Sequence, residues 1–341
     1  MPNERQLHFN AFLAGCGHHR AAWRRPESPL EQLGDIGFYE RLAHSAERGL
    51  FDAVFFADGH AVGDVGAGPR WFLEPLTALA AMARATSRIG LISTVSATFY
   101  TPFHAARMLA SLDHISSGRI GWNVVTSMFD AEARNHGLPA MPDHDVRYRR
   151  AAEFIEVVLG LWDSWADDAL VLDRAGLFAD PGRVRPLHHG GEYFRVDGPL
   201  TVPRPPQGRP VLFQAGASGQ GRDLAARYAE GIYAVAYDLP SAQDYYADVK
   251  RRVAAAGRNP ATVSIIYVCQ AEPLADGTHR VEIKMSMTAP GCGMGDVLKE
   301  DARAAVQSVP GVSDVDIELV WDPPWGQDRM SEAARLQLGI Y

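Results

Sequence analysis

The sequence predicts an α/β fold built on a parallel sheet for the first three quarters of the chain, followed by a smaller α+β module. Short apolar runs alternate with amphipathic runs whose apolar residues recur at three- and four-residue spacing. The apolar runs are nearly continuous, as in parallel strands that are covered on both faces. From about residue 265 the pattern changes to the alternation of half-exposed strands.

Six strands and five helices are predicted in the first part. The strands cover 7–14, 51–57, 89–96, 119–125, 210–215 and 232–237. The helices cover 38–48, 73–85, 104–115, 148–165 and 222–229. The stretch 168–209 is rich in Pro, Gly, His and Asp and is too long for a routine connection. We interpret it as an excursion over an active-site mouth.

The last part of the chain predicts a strand, a helix and a second strand with a small sheet of their own. Residues 281–288 and 315–320 alternate apolar and polar side chains, and a helical run at 296–309 lies between them. We place the boundary between Gly257 and Ile266, where the pattern changes. The two predicted domains are 1–262 and 265–341.

Composition and charge narrow the classes of partner. The chain has 341 residues with 33 basic and 41 acidic side chains, and its net charge of -8 argues against a nucleic-acid partner. Its three cysteines have no paired spacing, so neither a disulfide framework nor a zinc cage is indicated and a reducing, cytoplasmic setting fits. No signal-peptide pattern and no uncharged window of membrane-spanning length is present, so no membrane association is expected.

The segment 116–127 is the most informative part of the chain. Its apolar run ends in Thr126 and Ser127 and contains Asn123, whose buried amide is costly unless it finds hydrogen-bond partners. A flat heteroaromatic ring offers such partners, and parallel barrels carry their chemistry at this strand end. The alternative is that Asn123 only ties down a neighbouring loop.

Polar residues also follow the first three predicted strands. The first runs into a Gly-Cys-Gly-His-His sequence, where His18 is either an acid or base or a structural histidine satisfied by the backbone. After the second strand, Asp58 either hydrogen-bonds a ring nitrogen or caps the following loop. At the end of the third, Thr94 and Ser96 either face a cofactor or simply pack.

A glycine-rich loop at 215–221 precedes the helix at 222–229. Backbone N–H groups and the helix dipole converge there, which suits a single phosphate. The glycines fit neither a dinucleotide fingerprint nor a P-loop. The arginines that flank Tyr148, Arg147 and Arg149, are either additional phosphate donors or part of a solvated face.

Several of these segments together resemble the nitrilotriacetate monooxygenase component A branch of the bacterial luciferase-like flavin monooxygenases. The segments are 51–59, 105–114, 118–127, 147–148 and 215–218, and the resemblance covers roughly 5 to 262. It implies a TIM-type barrel that uses reduced FMN supplied by a separate flavin reductase. O2 would then oxidise a small organic substrate, commonly at a carbon beside nitrogen or sulfur. Whether the chain forms a homo-oligomer stays open.

The resemblance also implies site residues, by position. The residues that would line the isoalloxazine are Asp58, Thr94 and Asn123; those that would hold the phosphate are Tyr148, Ala217 and Ser218. His18 and His136 are candidates near the reacting centre. The family usually has an aromatic residue where this chain has His136, which leaves the catalytic assignment open.

Residues 265–341 resemble the small iron-sulfur assembly domains of the SufT and PaaD type. The matching segments are 288–294, 309–312, 321–325 and 330–335. The resemblance implies that Cys292, in a glycine loop before a helix, handles a metal or cluster and that iron-sulfur assembly partners bind this part. The alternative is a loop cysteine with no role. Members of that family normally begin with a further helix and loop.

Both modules are therefore expected to be incomplete where they meet. A TIM-type barrel needs eight strands, and six are counted, with 262–268 as a seventh that also belongs to the second module. We expect a fusion of two gene fragments or a misassembled reading frame rather than a natural bifunctional protein. The leading function is an FMN-dependent monooxygenase, impaired if its barrel stays open. The alternatives are a cluster-assembly accessory protein and a deazaflavin-dependent oxidoreductase.

Overall fold

The protein is described here by a computed structural model. The described residues are 8–18, 21–69, 73–236, 239–267, 271–273, 279–286, 299–300, 303–304, 306–307 and 312–320. By their contacts they divide into two units. The first unit covers 1–232 and 261–264, and the second covers 233–260 and 265–341.

A parallel sheet carries the first part of the fold. Its strands are β1 (Asn10–Leu13), β2 (Ala53–Phe56), β3 (Gly90–Ser96), β4 (Ile120–Val125), β7 (Val211–Gln214), β8 (Gly231–Ala234) and β9 (Ser264–Tyr267). They lie in the order β1-β2-β3-β4-β7-β8-β9. All six predicted strands are confirmed to within a few residues, and the seventh lies inside 262–268. Seven strands with helices between them form an incomplete TIM-type barrel, as predicted.

Seven α-helices are found among the described residues. They are α1 (Ile36–Arg48), α2 (Pro75–Ala85), α3 (Pro102–Ser116), α4 (Asp130–Asn135), α5 (His144–Trp162), α6 (Gly219–Tyr228) and α7 (Leu239–Ala255). Side-chain caps explain where several of them begin: Asp35 accepts from the N–H of Gly37, and Thr101 from that of His104 ahead of Pro102. The sequence analysis missed α4 and α7. A helix as short as α4 has no periodicity to detect, but α7 carries buried Tyr245, Val249 and Val253 at four-residue spacing.

The two faces of β4 have different environments. Trp122 is fully buried, and its ring lies 5.6 Å from that of Trp162 and 6.3 Å from that of Phe154, both on α5. The neighbouring residue Asn123 points to the opposite face, because successive strand residues alternate. Gly121 lies on that face as well, where a methyl group would come 2.9 Å from the Phe213 ring. The helix-covered face thus packs its aromatic rings on α5, whereas the other face, where Ile92 and Phe213 approach Gly121, carries the amide.

The excursion at 168–209 is held against α5. It contains the short hairpin of β5 (His189–Gly190) and β6 (Arg195–Val196). The carboxylate of Glu153 accepts hydrogen bonds from the N–H groups of Tyr193 and Phe194, each at 2.9 Å, and lies 2.9 Å from Nε2 of His189. Burial alone would raise the pKa of Glu153, but these hydrogen bonds outweigh it and hold the pKa below its ordinary value.

The second unit contains a separate three-stranded sheet. Its strands are β10 (Ala271–Pro273), β11 (His279–Ser286) and β12 (Val312–Val320), with β11 and β12 parallel. The described residues between β11 and β12 are helical, which matches the predicted strand, helix and strand. Buried Val306, Val315 and Ile317 form its small core. Among the described residues, no helix is long and apolar enough to cross a bilayer.

Candidate active site

Consecutive strand ends bring most of the predicted site residues to one edge of the sheet. In the register of the parallel ladder, Thr94 of β3 pairs with Asn123 of β4, and Asn123 pairs with Phe213 of β7. Asp58 follows β2, and the loop with Ala217 and Ser218 follows β7. Carboxyl ends of neighbouring parallel strands meet at one edge, where barrel enzymes place their chemistry.

Thr94 and Asn123 form a buried polar pair. Nδ2 of Asn123 donates to Oγ1 of Thr94 at 3.0 Å, and that hydroxyl donates to the carbonyl of Phe56 at 2.9 Å. Each side chain is 3% exposed. Oδ1 of Asn123 is buried and accepts no hydrogen bond from any residue that the structure describes. A buried unpaired acceptor is costly, so this oxygen fits a ligand that brings an N–H donor, as a flavin ring would.

A second group of predicted residues lies at the beginning of α6. Ser218 caps this helix, and its Oγ accepts from the N–H of Gly221 at 3.1 Å. Gly216 packs so closely on Gly221 that a methyl group on either would come 2.9 Å from the Cα atom of the other. A methyl group on Gly221 would also come 3.0 Å from Oη of Tyr148. The structure therefore brings Tyr148 of α5 to the loop that the sequence proposed for a phosphate.

The neighbouring arginines make other contacts. Arg147 donates from Nε to the carbonyl of Pro142 at 2.9 Å and from Nη1 to Oγ1 of Thr126 and the carbonyl of Ser127. It ties the end of β4 to α5, and its role as a phosphate donor stays a prediction. The neighbouring phenol of Tyr193 raises the pKa of the Arg149 guanidinium.

Asp58 caps its own loop and also contacts a histidine. Its Oδ1 accepts from the N–H of Gly59 at 2.8 Å, and its Oδ2 lies 3.3 Å from Nε2 of His60. Of the two roles considered from the sequence, the structure shows the loop cap. Nδ1 of His60 lies 2.8 Å from Nε2 of His136. His136, a predicted site residue, is thus connected to Asp58 through His60, which was not among the predicted site residues.

The other predicted histidine lies elsewhere at this edge. The exposed ring of His18 packs edge-on against Phe12 of β1, with centroids 4.3 Å apart, and its Nε2 lies 3.1 Å from the Phe12 carbonyl. Its described contacts include neither His60 nor His136. This arrangement matches the alternative of a histidine satisfied by the backbone. Cys292 lies outside the described residues, and the described ones contain no cluster of three or more His, Cys, Asp or Glu that could hold a metal ion.

Glu132 of α4 joins the loops after β2 and β4. Its side chain accepts hydrogen bonds from the N–H of His60 at 3.1 Å through Oε1 and from those of Met128 and Phe129 at 3.3 and 3.1 Å through Oε2. The residue is 6% exposed. No sequence signal marked it, because its partners are backbone groups on two separate loops.

Replacing Glu132 by Gln should lower the free energy of unfolding by about 1 to 3 kcal/mol. The NH2 group of the new amide cannot accept, so backbone N–H groups that now bond the carboxylate would lose their acceptor. Urea unfolding of the full chain measures this. Glu156→Gln is the matched control: exposed Glu156 accepts one bond, from Oη of Tyr228 at 2.6 Å, which an amide oxygen can still accept. Equal stability of the two variants would show that Glu132 does not hold the loops.

Comparisons with known proteins agree with this architecture. The luciferase-like monooxygenase family matches residues 16–281, and the iron-sulfur cluster assembly protein family matches 274–319. An N-acetyl-S-(2-succino)cysteine monooxygenase of Bacillus subtilis is 46% identical over 77% of this chain and 60% of its own length. Nitrilotriacetate monooxygenase component A of Aminobacter aminovorans is 39% identical over 86% of this chain and 69% of its own.

Solved structures show the same relationship. A long-chain alkane monooxygenase superposes with a TM-score of 0.74 at 31% identity, covering 88% of this chain and 68% of its own. The EDTA monooxygenase of Chelativorans sp. BNC1 gives 0.71 at 33%, covering 87% and 67%. An F420-dependent secondary alcohol dehydrogenase gives 0.57 at 19%, which shows the fold alone. The chain spans 60 to 69% of the length of the two curated relatives and the two monooxygenase structures, and 82% of that of the dehydrogenase.

Proposed function

The chain belongs to the luciferase-like monooxygenase family, and we propose that it is the oxygenase of a two-component system that uses reduced FMN and O2. A separate flavin reductase supplies the reduced cofactor. Bound reduced FMN provides the electrons that activate O2, while the protein binds and orients the ring and excludes water. The activity is a proposal because the chain spans 60% and 69% of the length of the two curated relatives described above.

The observation that carries the proposal is the unpaired Oδ1 of Asn123. It is buried in the second half of β4, beside Thr94, on the sheet face opposite to the one that packs on α5. A planar ring with an N–H group on its edge satisfies this oxygen without disturbing the Thr94 bond. In this assignment Asn123 and Thr94 line the isoalloxazine. Asp58 lines it as well, because it holds the loop after β2 against the ring.

The glycine loop after β7 supports a phosphate at the other end of the cofactor. The close packing of Gly216 on Gly221 leaves no room for a side chain beneath the first turn of α6. Ser218 keeps its hydroxyl hydrogen free to donate, since its oxygen accepts from Gly221. Together with Oη of Tyr148 and the positive end of the helix dipole, these groups favour a terminal phosphate near Ala217.

Four of the relatives support a substrate class. Their names specify nitrilotriacetate, dibenzothiophene sulfone, dimethyl sulfide and N-acetyl-S-(2-succino)cysteine, which contain nitrogen or sulfur, whereas another relative is named for long-chain alkanes. We propose a small organic substrate that is oxidised beside such an atom. His18 and His136 are the residues proposed near the reacting centre.

Removing the hydroxyl of Tyr148 tests the phosphate site. In anaerobic titrations, the chain should bind reduced FMN more tightly than reduced riboflavin, which lacks the phosphate. Tyr148→Phe should weaken the binding of reduced FMN by about 3- to 10-fold, which is the value of one hydrogen bond. The affinity for reduced riboflavin should stay unchanged. The matched control is Tyr228→Phe, because this hydroxyl also joins α6 to α5, but through Glu156. Failure of the wild-type chain to bind reduced FMN would remove the proposal.

The same titration separates the alternatives. Tighter binding of a reduced deazaflavin than of reduced FMN would favour the deazaflavin-dependent oxidoreductase. The match of 274–319 to an iron-sulfur assembly family supports a second, separate function for the predicted domain 265–341, with Cys292 as the metal-handling residue. Iron bound by the full chain and lost in Cys292→Ser would support that role, and iron binding that survives the replacement would discard it.

A further inference from the structure

Two imidazole rings face each other in the loops beyond the carboxyl ends of β2 and β4, at the sheet edge of the candidate active site. Nδ1 of His60 and Nε2 of His136 are 2.8 Å apart, and the ring centroids are 4.9 Å apart. His60 lies on the loop after β2, and His136 follows α4 beyond β4, so the pair joins segments 76 residues apart. At this distance one nitrogen must donate and the other must accept, so the contact holds a single proton.

The carboxylate of Asp58 lies at the buried end of this pair, next to His60. Oδ2 of Asp58 lies 3.3 Å from Nε2 of His60, and the two side chains are only 13% and 15% exposed. The negative charge favours a proton on Nε2 of His60. In the neutral pair Nδ1 of His60 is then the acceptor, and Nε2–H of His136 is the donor. That tautomer leaves the lone pair of Nδ1 of His136 available.

The surrounding residues hold both rings in place. Phe99 stacks on His136 with centroids 4.3 Å apart and planes 9° apart, and Tyr100 meets His60 edge-on. Nδ2 of Asn135 donates to the His60 carbonyl at 2.7 Å. His136 remains accessible at the surface of the cluster, whereas His60 does not. A proton can therefore reach the pair through His136.

The charged groups around the pair favour one location for the proton. The carboxylate of Asp58, 3.3 Å from Nε2 of His60, raises the pKa of His60 against the opposing effect of burial, and the charges of Glu132 and Glu74 act in the same direction. Burial and the charge of His60 lower the pKa of His136. The facing phenol is no competitor, because burial raises the pKa of Tyr100 to about 12.

We infer that Asp58, His60 and His136 form a proton relay that serves the candidate active site. A proton released in the site binds Nδ1 of His136, and the Nε2 proton of that ring passes to Nδ1 of His60. One N–H bond forms on each ring and one breaks on His136. The positive charge ends on His60 beside the Asp58 carboxylate. The reverse sequence returns the proton, so the pair serves as base or acid.

The relay is a property of the apo chain, and only its use in catalysis rests on the proposed function. His60 acts through His136 and is therefore a positioning residue. Because the two rings share a proton, they titrate as a coupled pair rather than as two separate groups. The pair holds its extra proton below the raised pKa of His60 and releases it as the pH rises through that value.

Imidazole nitrogen and carbon NMR shifts of the labelled full chain, followed against pH without flavin, test the relay. In the wild type His60 should titrate above the ordinary value of about 6.5 and His136 below it. Asp58→Asn should lower the pKa of His60. His136→Phe preserves the stack on Phe99 and should leave His60 titrating alone, in one step. Independent titration of both histidines near the ordinary value, unchanged by Asp58→Asn, would overturn the relay.

A matched control and a second readout complete the test. His8 and Asp52 form an exposed pair at 3.0 Å without a second imidazole, so Asp52→Asn should leave the titration of His60 unchanged. If the oxygenase activity is established, its rate should follow the same coupled titration. His136→Phe should remove that pH dependence of the rate without weakening the binding of reduced FMN. A chain that shows no oxygenase activity would leave the NMR result intact, so the two failures are distinguishable.

Discussion

Asn123→Leu is expected to weaken the binding of reduced FMN by about 10- to 100-fold while leaving the apo fold as stable as the wild type. The buried amide has an oxygen without a partner among the described residues, so a leucine of similar shape removes an unsatisfied group. Binding loses the hydrogen bond that this oxygen would accept from the ring, in a site closed to water. Anaerobic titration and urea unfolding of the same preparation measure the two effects.

The neighbouring threonine provides the control for this experiment. Thr94→Val keeps the shape and removes the hydroxyl that accepts from Asn123 and donates to the Phe56 carbonyl. It should cost about 1 to 3 kcal/mol of stability, because two groups lose their partner. If Asn123→Leu destabilised the fold as much as Thr94→Val and left FMN affinity unchanged, the amide would be a structural residue.

Trp122→Ala is expected to destabilise the chain by about 3 to 5 kcal/mol, the usual cost of removing a large buried aromatic side chain. The side chain is fully buried between β4 and α5, against the rings of Phe154 and Trp162. A cavity of that size cannot be filled by rearrangement in a close-packed core. Urea unfolding with a tryptophan-independent probe such as circular dichroism measures the change.

Two conservative variants separate packing from hydrogen bonding in this core. Nε1 of Trp162 donates to the carbonyl of Ala106 at 3.0 Å, whereas Nε1 of Trp122 is buried without a partner among the described residues. Both Trp→Phe replacements remove the same volume. Trp122→Phe should therefore cost about 1 kcal/mol less than Trp162→Phe. The reverse order would mean that the indole of Trp122 contributes a polar contact.

The strands were predictable because consecutive apolar residues mark a strand that is buried on both faces. An apolar run such as 120–125 is covered on both faces in any parallel sheet, so the pattern does not depend on which helix covers it. The helices followed from periodicity, except for α4, which has only six residues, and α7, whose four-residue spacing was not recognised. The length of α5 was overestimated at its carboxyl end, where the helix ends at Trp162 rather than continuing to 165.

The candidate site was predictable where it follows from strand order. Thr94 and Asn123 end up as neighbours because β3 and β4 are adjacent in chain and sheet. Tyr148 is 70 residues from Ser218, and its place at the beginning of α6 came from the resemblance rather than from any local pattern. Arg147 looked equally suitable for a phosphate, but its guanidinium satisfies backbone carbonyls at the end of β4.

By itself, the sequence determined a parallel α/β sheet and predicted the edge for its chemistry, with the amide of Asn123 beside Thr94. These features follow from local periodicity and from the alternation of strand residues. Only the tertiary structure decided that Asp58 faces His60, that His60 meets His136 and that Glu132 joins their loops. Loops have no period, and their side chains find partners by proximity in space, which a linear pattern of apolar residues does not encode.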